Sequence, residues 1–289
     1  MTAQLQVEPG RGRPEAMTQA EWDARVELAA CYRIFNRLGW VELIFNHITA
    51  RVPGEEGHLL INPFGLMYRE VTASNLVKID LAGNIVGHSD WPVNAAGLVI
   101  HTAVHAARPD THCVMHTHTT AGSAVACLRD GLDWNNFYAA QIYQQVAYHD
   151  FEGITVDPDE QPRLVADLGQ HDLMILRNHG LLALGASVPA AFTALWTLQR
   201  ACEIQLAAQQ TGQPLQPVTE RAALQSSREA FQFAKGPEAA RGVQRAVACA
   251  GPRRARLPRL GRRGGRPLSP APPVGGRPPP AGPRRRSPP

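Results

Sequence analysis

Five cysteines, Cys31, Cys113, Cys127, Cys202 and Cys249, are spread through 289 residues with no CxxC spacing among them. That absence argues against a disulfide scaffold and against a cysteine-type zinc site, and it fits a reducing cytosol. No apolar run reaches the roughly 18 residues that a membrane-spanning helix needs. Residues 1–13 have no apolar core, so they are no secretory signal. These absences together give the expectation of a cytoplasmic protein with no membrane partner. Lysine is missing from residues 236–289, and Glu238 is the single acid there.

What is present divides in two. The last 54 residues hold 13 Arg, 13 Pro and 9 Gly, a net charge of +12. The other 235 residues carry 16 basic and 24 acidic side chains, a net charge of −8. The overall +4 therefore hides a mildly acidic body, which gives no support to nucleic-acid binding. The tail has too little apolar content to fold alone. The expected organisation is a disordered lead-in at 1–16, one folded domain at 17–235 and a disordered Arg/Pro/Gly tail at 236–289. A run of Arg, Pro, Gly and Ala without Lys is what a GC-rich gene yields when read out of frame. We expect a frameshift-derived tail, which resequencing checks; a polybasic tail for anionic partners is the alternative.

In the body, Thr18 and Glu21 have capping-box spacing. Trp22, Val26, Ala29, Ala30, Ile34 and Leu38 then recur at helical intervals up to Gly39. Strands are predicted over 45–52, 57–61, 77–81, 85–87, 113–118, 173–177 and 181–184. Ala82-Gly83-Asn84 reads as a hairpin turn. Helices are predicted over 95–107, 121–129, 162–169, from Pro189 to about Thr211, and over 219–234. This mixture implies an α/β fold with a mixed, largely antiparallel sheet covered by helices.

His116 and His118 lie two apart on a predicted strand, so they project from one face and can reach one metal ion. A bare His-x-His also reads as two ordinary hydrogen-bonded histidines. His179, in the turn Asn178-His179-Gly180, is a solvent histidine if taken alone. Beside the strand pair it becomes a third ligand candidate.

Ala107-Arg108-Pro109-Asp110-Thr111-His112-Cys113-Val114-Met115-His116-Thr117-His118 and Leu176-Arg177-Asn178-His179-Gly180-Leu181-Leu182 closely resemble the class II aldolase/adducin family. So do Phe45-Asn46-His47-Ile48-Thr49-Ala50-Arg51, Leu60-Ile61-Asn62-Pro63-Phe64-Gly65-Leu66 and Val71-Thr72-Ala73-Ser74-Asn75-Leu76-Val77-Lys78, which look most like the adducin-headed branch. The resemblance runs from about Glu21 to about Gln210. It implies a three-layer α/β/α sandwich assembled as a homotetramer, with sites near subunit interfaces and a small-molecule substrate. It also implies a divalent metal, typically Zn2+, on His116, His118 and His179. Fe2+ and Mn2+ suit imidazole as well. Asn46, Asn62 and Gly65 are carried over as substrate-binding candidates.

The chain also departs from the family pattern. The sugar-phosphate aldolases place Ser-Ser-Glu at the start of the helix before the Arg-Pro-Asp turn. That triplet falls here on Ala95-Ala96-Gly97. Two phosphate-holding hydroxyls and the catalytic carboxylate are thus missing, and glycine transfers no proton. A phosphate-contacting glycine is replaced by Phe45. A phosphorylated sugar is therefore not the expected substrate. His101, which shares a helix face with His105, and Tyr138, with Tyr143 nearby, are candidate replacements for the base. His47, His58, His88, His112, His149 and His171 have no spacing that sets them apart. The expected function is a metal-dependent lyase or isomerase of aldolase type on a small, non-phosphorylated hydroxy-carbonyl or keto-acid compound. The alternatives are a non-catalytic adducin-like binding or scaffold domain, and a non-haem Fe(II) oxygenase of the same family.

Overall fold

The first helix, α1 (Gln19–Leu38), starts where Thr18 accepts a hydrogen bond from the Glu21 amide at 3.1 Å. The Glu21 carboxylate turns away to Arg25 Nε and Lys78 Nζ, both at 2.9 Å, rather than back to the cap. Gly39 ends the helix at φ 73°, a conformation that glycine adopts without steric cost. The computed structural model describes residues 13–154 and 156–234. The expectations for the tail at 236–289, for Cys249 and for most of the lead-in fall outside the described residues.

Seven strands follow: β1 (His47–Arg51), β2 (Leu59–Ile61), β3 (Val77–Ile79), β4 (Cys113–Thr117), β5 (Val146–His149), β6 (Leu173–Leu176) and β7 (Gly180–Gly185). They form one sheet in the order β3-β2-β1-β4-β7-β6-β5. Only β5 and β6 are parallel; the other neighbours are antiparallel. The sheet is mixed and largely antiparallel, as its turn chemistry implies.

Strand alternation splits the core between two faces. Cys113 and Met115 of β4 join a cluster with Leu28 and Phe35 of α1 and with Phe192, Leu195 and Leu198 of α6 (Val188–Gln209). Val114, between them, faces Ile100 and Val104 of α2 (Ala95–Ala107) and Leu164 and Leu168 of α5 (Gln161–Leu168). Leu195 and Leu198 are fully buried, and each such side chain contributes about 1.5–3 kcal/mol. Helices on both sheet faces make the three-layer α/β/α arrangement. Ser187 caps α6 by accepting from the Ala190 amide, with Pro189 in the first turn.

Some expectations need correction. The second hairpin arm, 85–87, makes a single bridge, Ile79 to Ile85. The Asp80 carboxylate takes the Ala82 and Asn84 amides and the Asn84 side chain, and Gly87 at φ 82° turns the chain away. The helix expected over 121–129 is α3 (Thr120–Ala126). Two elements carry too little pattern to be expected. They are the five-residue α4 (Phe137–Gln141), capped by Asn136, and the edge strand β5. A last helix, α7 (Glu220–Ala234), closes the described chain. Among the described residues no helix is long and apolar enough to cross a membrane, and Cys31, Cys113, Cys127 and Cys202 are free thiols.

Candidate metal centre

His116 lies one residue before the end of β4, and His118 lies one residue beyond that end. In the antiparallel β4–β7 ladder Thr117 pairs with Leu181. The turn that leads into β7 therefore stands beside the end of β4. Asn178 adopts φ 57°, which its short polar side chain tolerates better than most. Its amide bonds to Ala126 O at 3.0 Å, the His179 amide to Leu176 O at 3.1 Å, and Ser123 Oγ donates to His179 O at 2.9 Å. Gly180 has no room for a Cβ, since the Thr117 carbonyl and the His118 ring press against it.

The result is a convergence of three Nε2 atoms. His116 and His118 stand 2.7 Å apart, His118 and His179 2.9 Å, and His116 and His179 3.2 Å. Among the described residues this is the one cluster of three His, Cys, Asp or Glu side chains whose ligand atoms lie within 4.8 Å of one another. His116 Nδ1 donates to the Leu181 carbonyl at 2.9 Å. That bond keeps the ring proton on Nδ1 and leaves the Nε2 lone pair facing the other two rings. The His118 amide donates to Asn46 Oδ1 at 3.2 Å, which fixes its backbone.

Burial, then the neighbouring His179 and His118, hold His116 well below the usual histidine range. Burial also lowers His118, and burial followed by His118 pushes His179 down to about 4. All three rings are thus neutral near pH 7. Metal ligation requires that state, because a protonated imidazole has no lone pair to give. Three neutral imidazoles match the protein ligands of a catalytic zinc donor set. The residues fit a divalent cation.

A second buried set lies behind the triad. His47 of β1 pairs with His116 across the sheet, and their ring centroids are 5.0 Å apart. His47 Nδ1 lies 2.8 Å from His101 Nε2, His101 Nδ1 lies 2.6 Å from Thr49 Oγ1, and Thr49 Oγ1 lies 2.9 Å from His105 Nε2. None of the four is more than 3% exposed. His101 and His105 do share a helix face, and that face is turned inward onto β1. His101 is one step removed from the triad, with His47 between. The His47 ring also fills the space in front of Gly97, the position that resemblance assigns to a carboxylate. Sequence reading passed over His47. The signal was there: His47 and Thr49 alternate onto one strand face, opposite a histidine pair at helical spacing.

The remaining candidates are placed elsewhere or are already engaged. Tyr138 stacks edge-on against Trp196 of α6 at 5.3 Å and against Phe137. Tyr143 packs on Trp134 and donates to Glu220. Asn46 is buried and holds His118 and Trp40 O. Asn62 is buried against the Tyr32 hydroxyl. Gly65 is exposed at φ 101°. A cleft of about 10 Å³ lies between His179 and His149, and a cavity of about 190 Å³ lined by Trp134, Tyr143 and Tyr148 lies apart from the triad.

The family model described as "Class II Aldolase and Adducin N-terminal domain" matches residues 26–206. A Caulobacter vibrioides protein provisionally named a class 2 aldolase is 47% identical over 196 residues, which is 68% of this chain and 76% of that one. Alpha-adducin of Rattus norvegicus is 49% identical over 185 residues, covering 63% of this chain but 25% of the adducin. Solved structures align with the chain as well. The aldolase II superfamily protein from Pseudomonas syringae has a TM-score of 0.78 at 44% identity, covering 81% of this chain and 94% of its own. The L-fuculose 1-phosphate aldolase from Glaciozyma antarctica has a TM-score of 0.70 at 27% identity, covering 83% and 93%.

Proposed function

The chain belongs to the class II aldolase and adducin family, and from that premise we propose that it is a divalent-metal-dependent lyase or isomerase of aldolase type. Its substrate is a small, non-phosphorylated hydroxy-carbonyl or keto-acid compound. The convergence of the Nε2 atoms of His116, His118 and His179 within 3.2 Å carries this reading. Zn2+ is the first choice of cation for three imidazoles, with Fe2+ and Mn2+ behind it. When bound, the cation supplies Lewis acidity to a carbonyl or enediolate oxygen.

The chain's own part is to hold three lone pairs on one point. The Leu181 carbonyl orients His116, Asn46 Oδ1 holds the backbone of His118, and the Asn178 turn presents His179. These anchors are all buried or tied to the sheet, so little reorganisation accompanies ligation. The substrate reading rests on Ala95, Ala96 and Gly97. They offer a phosphate no hydroxyl and a proton no carboxylate, which separates this chain from a relative named for a sugar phosphate. We further place the protein in the cytoplasm as a homotetramer, in line with the free thiols and the family likeness.

A non-catalytic, adducin-like binding domain is the second reading, favoured by the adducin identity and by the glycine at position 97. Elemental mass spectrometry on untagged protein decides between them, beside a His116→Ala/His118→Ala variant. About one zinc per chain, lost in the variant, supports the lyase. Iron in its place brings forward a non-haem oxygenase. A folded wild type without metal leaves the binding domain.

A further inference from the structure

Gln199 lies on the inner face of α6 among the buried Leu195, Leu198 and Cys202 of that helix, and it is 2% exposed. A side-chain amide in such a place destabilises the fold unless its polar atoms are paired. Gln199 Nε2 donates to Glu203 Oε1 at 2.8 Å, and Gln199 Oε1 accepts from the Thr119 hydroxyl at 2.6 Å. The Glu203 carboxylate, paired in turn with Arg200, only accepts hydrogen bonds. The amide nitrogen therefore faces Glu203, the amide oxygen faces Thr119, and the Thr119 proton points at Gln199. The hydroxyl lone pairs stay free, and one of them takes the Gly122 amide at 3.1 Å.

Thr119 follows His118 directly and is the N-cap of α3. Further along α3, Ser123 Oγ donates to the His179 carbonyl at 2.9 Å, and Ala126 O takes the Asn178 amide at 3.0 Å. Between these anchors Gly122 is pressed against Leu181, whose Cγ a Cβ would approach to 2.7 Å. The Leu181 carbonyl is in turn the partner of His116 Nδ1. The seven residues of α3 thus run from one ligand to another, with His118 at their start and the His179 turn at their side. The Thr119–Gln199 bond ties this short helix to the 22 residues of α6. Without Gln199 the Gly122 cap remains, so α3 stays a helix, but it loses that tie and is free to drift.

We propose that Gln199 is a positioning residue for the metal centre: through the Thr119 hydroxyl it anchors α3, and α3 sets the separation of His118 from His179. Gln199 acts through Thr119 and α3 on both ligands. Ligand distances in a metal site hold to within about 0.2 Å, so a small drift of α3 weakens the grip on the cation. The effect on metal rests on the function proposed above; the anchoring of α3 stands on the protein's own geometry.

The experiment is Zn2+ affinity of the untagged full chain by chelator competition. Gln199→Leu keeps the bulk of the side chain and removes the acceptor, and it should weaken zinc about 10–100-fold. The exchanged pair Gln199→Glu/Glu203→Gln keeps the net charge and rebuilds both bonds, with the carboxylate now facing Thr119 and the amide donating to it. It should return affinity towards the wild-type value. Tyr32→Phe removes a buried hydroxyl that bonds to Ile48 and Asn62, away from α3, and serves as the comparison for plain loss of stability. Its zinc affinity should stay at the wild-type level. If Gln199→Leu does not fold, Glu203→Ala frees the amide from its other end and should lower affinity in the same direction. Wild-type affinity in the Gln199 variant overturns the proposal, and so does an equal loss in Tyr32→Phe. A wild type that binds no zinc sinks the metal function, and amide hydrogen exchange on the metal-free chain then decides the anchor. The Gly122 and Asn178 amides should exchange faster in Gln199→Leu and not in Tyr32→Phe; unchanged protection overturns the anchor as well.

Discussion

The imidazole of His47 stands where a side chain on Gly97 would begin. A Cβ on Gly97 would lie 2.6 Å from His47 Cδ2, 2.8 Å from Cγ and 2.9 Å from Nε2. One residue needs the other to be absent. In Gly97→Ala the alanine gains roughly 0.5–1 kcal/mol of helix preference, against about 1–3 kcal/mol for overpacking a filled space. The clash wins, so the variant should lose stability in urea denaturation. His47→Ala should remove the clash, giving a double mutant less damaged than the sum of the singles by roughly 0.5–3 kcal/mol. Simple additivity would mean that the two residues do not compete for this volume.

Gly180 joins the two halves of the triad. The Thr117 carbonyl and His118 Cδ2, the latter at 3.1 Å, crowd the place of its missing Cβ. In Gly180→Ala the β4 end and the β7 start must part, which moves His179 from His118. Zinc affinity, measured by chelator competition, should fall by about 10–100-fold, the usual effect of disturbing what orients metal ligands. An unchanged affinity would show that the turn can shift as a unit.

The fold was largely readable because its long elements announce themselves. Thr18 and Gly39 bound α1, and α2 occupies 95–107 as its pattern indicates. The triad was readable too, since strand alternation puts His116 and His118 on one side. What failed has a common cause. β5 is four residues long at the sheet edge and α4 is five, so neither repeats often enough to register. His47 carries only a weak local pattern, its alternation with Thr49 along β1. Its role comes from register, β1 against β4, and from the inward face of α2. Asn46 and Asn62 sit in matched segments, yet their side chains are occupied by the protein itself.

Tyr32 shows how that occupation works. Its buried hydroxyl accepts from the Ile48 amide at 3.0 Å and the Asn62 amide at 3.2 Å, and lies 2.5 Å from Ile48 O and 2.9 Å from Asn62 Oδ1. Tyr32→Phe strands these groups. An unsatisfied buried polar group costs about 1–3 kcal/mol, and in a domain of this size each kcal/mol lowers Tm by about 2–4 °C. Metal content should stay at the wild-type level, because none of these bonds reaches the triad. Metal loss without loss of stability would contradict this division of labour.

Acid should unfold the protein early. Burial pushes His105 down to about 3, and His47 and His101 move the same way for the same reason. The unfolded chain protonates its histidines near the ordinary value of about 6.5. Between those limits the unfolded state binds more protons than the folded one, so stability falls as pH falls. The contribution is complete above about pH 6.5 and is lost progressively down toward the folded value. Each such histidine contributes a slope of about 1.4 kcal/mol per pH unit. Three of them outweigh the carboxylates on the surface, whose ion pairs are worth little. Urea unfolding of metal-stripped protein at intervals from pH 7.5 to 4.5 should therefore be flat above pH 7 and steepen below pH 6. A curve that stays flat to pH 5 would mean that the buried rings take up protons without cost, against their sealed and carboxylate-free surroundings.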